Sequence, residues 1–446
     1  MTNAPVMGRD EALAICEQVL DASPAEQTEV NLLAGRSGLT RFASNYIHQN
    51  VAESNAQVIV RAAIVQRVGV AATNDLSAEG LADVARRAAR LASLSTPDEL
   101  FPGLPQPGEG APTLSGSGAT ADFGPAERAE AVRTCIEVAR QHGQTASGAC
   151  SATVSEHAVA SSLGVRAYQE STQASLRMVF TGAVSAGFAA ALAADAGTID
   201  AAALARVAAE KCARSAGPTA AEPGRWDVIL EPPAVTDMLG LLGRSAFNAL
   251  ACHEGRSPLS DGLGEPVCGG NISLWDDGLD PRGLPRAFDF EGMPRRRVEL
   301  IADGIAVGVV HDSRTAALAG TRSTGHALPP PGTWGPVPMH MYLRTGEATL
   351  DEMIAATERG LLVTRFHYTN LVDPRRALFT GMTRDGTFLI RGGEIVGGVR
   401  NLRFTENMLE ALGRVEMIGR DGRLHQSAWA PPLLVRDFRF SGATEF

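Results

Sequence analysis

Val298–Asp312 reads VELIADGIAVGVVHD, two β-branched and aliphatic runs that meet at Asp303-Gly304. An Asp-Gly pair tolerates the left-handed backbone of a tight turn, so the stretch predicts a hairpin of antiparallel strands. The texture continues on both sides. TFLIRGGEIVGGV (387–399) predicts a second hairpin turning at Gly392-Gly393, and RWDVILEP (225–232) a strand that opens the region. Helices are few: one over about Ala234–Leu250, and one in TLDEMIAATERG, where Thr349 and Glu352 have capping-box spacing and Gly360 is the expected stop. Residues 223–446 thus read as a mostly antiparallel, β-rich domain.

Residues 1–222 have a different rhythm and read as an α/β region, a mixed sheet with helices, which makes the whole chain α+β. Ala12, Ile15, Cys16, Val19 and Leu20 recur at helical spacing. From Arg41 to Asp75 the pattern becomes that of successive strands, after which Ser77 caps a helix burying Leu81, Val84, Ala85, Ala88 and Ala92. Segment 96–122, rich in Pro, Gly and Ser, cannot build a core and reads as a linker between two modules. The second module starts with Pro125 in the first turn of a helix that buries Val132, Cys135, Ile136 and Ala139. Strands follow around 149–159 and 165–184, then an amphipathic helix containing Lys211. No short-period repeat is visible.

A chain of 446 residues exceeds what one hydrophobic core supports, about 250 to 300 residues. Its net charge of −10 is spread without long blocks, which argues against nucleic acid or an anionic membrane as partner. Six dispersed cysteines without a CxxC pair, and a beginning without a signal pattern, predict reduced thiols in a cytoplasmic protein. The most apolar run, from Met178 to Ala194, is made largely of small residues and is a poor bilayer span. Lys211 is the only lysine, so a Walker phosphate loop is excluded and Schiff-base chemistry would depend on a residue that reads as an exposed helical charge. Neither a GxSxG elbow nor a GxGxxG fingerprint occurs.

The chain has a single His-Glu pair, His253-Glu254, in ALACHEGRSPLSDGLGE (249–265). A helical HExxH or HExxxH motif aims two imidazoles at zinc while its Glu takes a proton from bound water. Here Gly255, Arg256, Ser257 and Pro258 follow, which supply no second His and break the helix, so the pair reads as a turn. The competing reading is an autonomous metallohydrolase with His253 as ligand, Glu254 as base and remote partners such as His311 or His425. The remaining histidines, His48, His142, His157, His326, His340 and His367, are scattered singly and read as satisfied core or surface residues. Asp276, Asp277 and Asp280 lack calcium-loop spacing and read as a solvated turn. Arg384-Asp385, beside Gly386, reads as a turn pair, or alternatively as a device that orders a loop lining a cleft. Arg256, Arg365 and Arg384 are the candidates for facing a peptide path.

Over nearly its whole length the chain resembles the TldD/PmbA (TldE) family of peptide-processing proteins. The resemblance is carried by LTRFASNYIHQNVAE, GVAATNDLSAEGL, FDFEGMPRRRVELIADGIAVGVVHDSRTAALAG, STGHALPPP, TRDGTFLIRGGEI and NLRFTENMLEALGRVEMIG, in that order. It implies an α/β N-terminal region and a β-rich C-terminal region that builds a chamber in a dimer. It further implies pairing of a zinc-bearing TldD-type chain with a zinc-less TldE-type chain. The TldD type holds zinc through the histidines of HExxxH and a cysteine near its C-terminus. EGRSPLSDGLGE resembles a stretch that follows that motif, which puts the ligand and base positions on TDMLGLLGRSAFNAL, near Gly240, Leu241 and Ser245, and the cysteine near Ile418. None of these residues is a zinc ligand or a base, and no cysteine follows Cys268. The resemblance therefore implies a TldE/PmbA-type subunit without a catalytic residue or cofactor of its own, with zinc on a TldD-type partner and peptides as substrate. A homodimeric peptide-binding scaffold is the third reading.

Overall fold

The computed structural model describes residues 7–444; the chain's beginning, read above for a signal pattern, lies partly in residues 1–6, outside the described residues. In chain order the N-terminal region runs α1 (Arg9–Ala22), β1 (Gln27–Ala43), β2 (Tyr46–Ile64), β3 (Arg67–Thr73), α2 (Ala78–Leu94), α3 (Gly118–Ala121), α4 (Pro125–Gln141), β4 (Thr145–Ser161), β5 (Arg166–Thr181), β6 (Ala186–Ala193) and α5 (Ala201–Arg214). Its six strands form one sheet in the order β3-β2-β1-β4-β5-β6. Every pairing in it is antiparallel, so the mixed sheet expected in this α+β fold is instead two hairpin meanders joined along β1 and β4. The order helix, three strands, helix occurs twice, once on each side of that seam. Segment 96–122 connects the two units while they share one sheet, and Leu104 within it is buried.

The helices lie where apolar spacing and caps place them. Ser77 accepts from Gly80 N at the start of α2, and Leu81, Val84, Ala85, Ala88 and Ala92 are buried. Close approach of helix to sheet depends on two glycines. A Cβ on Gly69 in β3 would lie 2.2 Å from Ala92 N of α2, and one on Gly187 in β6 would lie 2.2 Å from Ala208 O of α5. β1 begins well before Arg41, where sequence reading starts the strands; Gly35, Ser37 and Gly38 dilute its β-branched signal.

The C-terminal region continues with β7 (Gly224–Leu230), α6 (Pro232–Ser245), α7 (Ala249–His253), β8 (Leu274–Asp276), β9 (Val298–Ala302), β10 (Ile305–Ala306), α8 (Ser313–Leu318), β11 (Met341–Leu343) and α9 (Leu350–Ala355). It ends with β12 (Arg359–Asp373), β13 (Leu378–Arg391), β14 (Glu394–Gly398), β15 (Leu402–Asn407), α10 (Met408–Gly413), β16 (Val415–Ile418), β17 (Arg423–His425), β18 (Ala428–Ala430) and β19 (Leu433–Ala443). One sheet has the order β12-β7-β19-β15-β13-β14, and because β12 also pairs with β13 it closes into a ring. Phe366, Phe404, Phe438 and Phe440 pack against one another in its core, with Phe366 and Phe404 centroids 4.4 Å apart. The second sheet runs β10-β9-β8-β11-β18-β17.

Both expected hairpins form, β9–β10 around Asp303-Gly304 and β13–β14 around Gly392-Gly393. The helix expected over about Ala234–Leu250 is two: Asn248 accepts from Leu250 N and Ala251 N, and this side-chain cap starts α7 afresh. The capping box of Thr349 and Glu352 is present, but α9 ends at Ala355. Gly360 is not its stop; it sits in β12, where a Cβ would meet Asp227 O of β7 at 2.6 Å. Lys211 is not an exposed charge either. Its Nζ donates to both Glu231 carboxylate oxygens, at 2.8 and 2.6 Å, fastening α5 to the start of α6. Among the described residues no helix is long and apolar enough to cross a membrane.

Candidate functional site

Successive residues of a strand point to opposite faces of its sheet. On β1, β2, β4 and β5 the even-numbered Leu32, Val60, Ala158 and Leu176 pack toward the helices. The odd-numbered set is more polar, and register aligns it: Leu33 pairs with both Gln57 and His157, Gly35 with Asn55 and Ser155, Ser37 with Glu53 and Thr153, and His157 with Gln169. This helix-free face forms one wall of a cleft of about 730 Å³. The facing wall belongs to the C-terminal region, with Arg286, Phe288, Phe290 and Arg295 from the β8–β9 connection, and His340 and Gln426 beyond.

The cleft floor is buried and rich in donors. His157 Nε2 donates to Asn31 Oδ1 at 2.8 Å between Phe288 and Phe290, and burial, then the charges of Arg286 and Arg295, pull its pKa down to about 3. Gln169 Oε1 accepts from Ala287 N at 2.7 Å, while its Nε2, Arg295 Nε and Nη1, and His340 Nδ1 are buried without a hydrogen-bond partner among the described residues. Burial, with Arg295 next, pulls His340 down to about 3, so both cleft histidines are neutral at pH 7.

Asp276 overturns the solvated-turn reading of its cluster: it is wholly buried and accepts from His326 Nε2 at 2.8 Å and His340 N at 2.6 Å. Burial pushes its pKa up, but His326, His340 and Arg295 outweigh that and hold it at about 2. Two histidines that look solitary in sequence therefore meet at Asp276, His326 through its imidazole and His340 through its backbone amide. Asp280, by contrast, accepts from the backbone and guanidinium of Arg282, as a surface turn would.

The helix that the resemblance makes the zinc position is α6, and its residues do not fit a metal. Gly240 offers no side chain, Leu241 packs against the core, and Ser245 Oγ donates to Leu241 O at 2.9 Å. Among the described residues no group of three or more His, Cys, Asp or Glu side chains comes together to hold a metal ion. The nearby acid on α6 is Asp237, which accepts from Gln426 Nε2 at 2.7 Å and whose pKa burial raises to about 6. Since Gln426 also lines the cleft, this hydrogen bond connects α6 to it.

His253 ends α7 and Glu254 follows it, both exposed, with Glu254 paired to exposed Arg256. Arg365 pairs with Asp385 and lies 4.6 Å over the Phe188 ring. Arg384 and Asp385 stand within β13, opposite an irregularity in β12, and not in a turn before the strand; they line a separate cavity of about 700 Å³. None of Arg256, Arg365, Arg384 and Asp385 lines the 730 Å³ cleft. Of the residues that do, Gln169 leaves a trace in sequence only through the run of polar residues at alternate strand positions, whereas Arg286, Arg295 and His340 lie on connections where no such alternation marks them.

A helix-backed sheet docks on a closed β ring, with a cleft between them. Two family models match, PmbA/TldA metallopeptidase domain 1 over residues 28–92 and the PmbA/TldA metallopeptidase C-terminal domain over 223–442. The chain belongs to the PmbA/TldD family. TldE from Thermococcus kodakarensis has the same fold, with a TM-score of 0.88 at 22% identity, covering 96% of this chain and 100% of that one. A metalloprotease of Methanothermobacter thermautotrophicus is 26% identical over 222 residues, 50% of this chain and 48% of its own length. A metalloprotease TldD homolog of Buchnera aphidicola (subsp. Acyrthosiphon pisum) is 27% identical over 178 residues, 39% of this chain and 36% of its own. The chain thus spans about half or less of these two relatives.

Proposed function

We propose that this chain is the zinc-less, TldE-type subunit of a heteromeric metallopeptidase that processes or degrades unfolded peptides. It presents peptide, and a TldD-type partner supplies zinc and hydrolysis. The observation that carries this reading is α6, where the positions that the family resemblance assigns to ligands and base hold Gly240, Leu241 and Ser245, on a helix connected to a large cleft. The cleft suits an extended main chain, because amide and hydroxyl side chains on its sheet wall can satisfy peptide N–H and C=O groups. Six unpaired cysteines accord with a cytoplasmic setting.

Co-purification with a TldD-type chain that retains HExxxH tests the proposal. Zinc in the complex but not in the single chain, with cleavage of unfolded peptide only by the complex, is the expected result. Stoichiometric zinc and chelator-sensitive cleavage by this chain alone would sink it and favour the His253/Glu254 hydrolase. A chain that stays homodimeric beside the partner would favour a scaffold.

A further inference from the structure

Two arginines in the cleft make no direct ion pair or side-chain hydrogen bond among the described residues, although Asp276 and Asp289 act on Arg295 through space. Arg295 is 9% exposed and, among the described residues, its guanidinium forms neither hydrogen bond nor ion pair. Arg286, half-buried on the same wall, is equally unpaired. The neighbouring arginines show what is missing, since Arg296 pairs with Glu109 and Arg297 with Glu299. Of the acids in and under the cleft, Glu53 stands exposed on the sheet wall, Glu156 accepts from Met7 N, Gly8 N and Tyr168 Oη, and the two that act on Arg295 are held by other donors. Asp289 accepts from Ala327 N, Glu291 N and Met293 N at 2.8 to 3.0 Å, and Asp276 is held by His326 and His340. A guanidinium stays protonated even where burial disfavours its charge, and an orphaned buried donor is costly. Gln169 Nε2 and His340 Nδ1 add two more unpartnered polar atoms to the same lining.

We propose that Arg286 and Arg295, with Gln169 and His340 beside them, form an anion subsite that takes a carboxylate of the ligand. A planar guanidinium fork matches a carboxylate's two oxygens, and entry of such an anion would give both arginines the direct partner they lack. Carboxylate is the chemistry shared by a peptide C-terminus and an Asp or Glu side chain. That the carboxylate belongs to a peptide rests on the function proposed above; the subsite itself does not.

The test titrates the full chain with N-acetylglycine and with N-acetylglycinamide, followed by calorimetry or NMR. Saturable binding of the acid but not the amide is expected, weakened about tenfold or more in Arg286→Gln and in Arg295→Gln. Among the described residues neither guanidinium has a direct hydrogen-bonding partner, so both variants should still unfold cooperatively, which thermal melts check alongside. Equal binding of acid and amide, or unaltered binding by a folded double variant, overturns the subsite. Three unfolded peptides then distinguish the source: free C-terminus without acidic residues, the same peptide amidated, and an amidated peptide with one internal Glu. Preference for the first assigns a C-terminal carboxylate, and equal preference for the third a side chain. Peptides that bind regardless of carboxylate overturn the subsite and leave the peptide-binding reading intact. Acid binding without peptide binding does the reverse.

Discussion

Glu29 shows how much of this molecule is decided by single buried charges. It lies on β1 with its carboxylate against Arg61, 2.6 Å away, and Arg61 also reaches Glu291 of the C-terminal region at 3.2 Å. Burial, opposed by Arg61 and reinforced by Glu291, raises the Glu29 pKa from 4.5 to about 7. A carboxyl whose pKa rises on folding contributes stability that is fully present below about 4.5 and lost as pH rises through about 7. The unfolding midpoint in urea should therefore fall between pH 5 and pH 7, and Glu29→Gln should flatten that slope; an unchanged slope would show that Glu29 stays ionised. Nothing in TEVNL announces this triad, because Glu29, Arg61 and Glu291 are brought together by tertiary packing across more than half the chain. Arg286 and Arg295 were hidden for the same reason: nothing local in MPRRR distinguishes Arg295 from Arg296 and Arg297, and only the fold turns that first arginine inward. That Gly240, Leu241 and Ser245 of α6 are not metal-ligand residue types is, by contrast, plain from the sequence itself.

At the scale of elements, sequence spoke clearly wherever the physics is local. Hairpin turns, the Ser77 cap and the Thr349–Glu352 box depend on a few adjacent residues, and all of them form. What it could not reveal are contacts between elements. Gly360 looked like a helix stop but serves the β12–β7 contact, and Lys211 looked solvated but closes a salt bridge. Gly69 and Gly187 are the counterpart on the N-terminal sheet, letting α2 and α5 sit on its two outer strands. Gly69→Val and Gly187→Val should each cost about 1 to 3 kcal/mol, read from chemical denaturation, because the new side chain strikes helix backbone that cannot rotate away. A variant of wild-type stability would mean that the helix slides without penalty.

For the whole molecule, the α+β class was legible from the change of texture near Trp226, whereas the ring closed by β12 and β13 and the continuous N-terminal sheet were not. Strand order is a non-local property, and the Pro/Gly/Ser segment at 96–122 reads as a divider although the strands before and after it pair. Residues 106–110 of that segment are exposed, so limited proteolysis should nick there first. Two fragments that still co-elute on size exclusion would show that the β1–β4 seam, from Glu29↔Ser161 to Phe42↔Gly148, holds without the covalent connection. Fragments that separate at once would show the reverse. That seam has a further consequence. It joins two units of like order, each presenting its first strand to the other in antiparallel fashion, which is the arrangement of a symmetric dimer written into one chain. Fusion of two copies of an ancestral half-sheet would produce this arrangement, and either half alone would carry a long bare edge suited to its own twin.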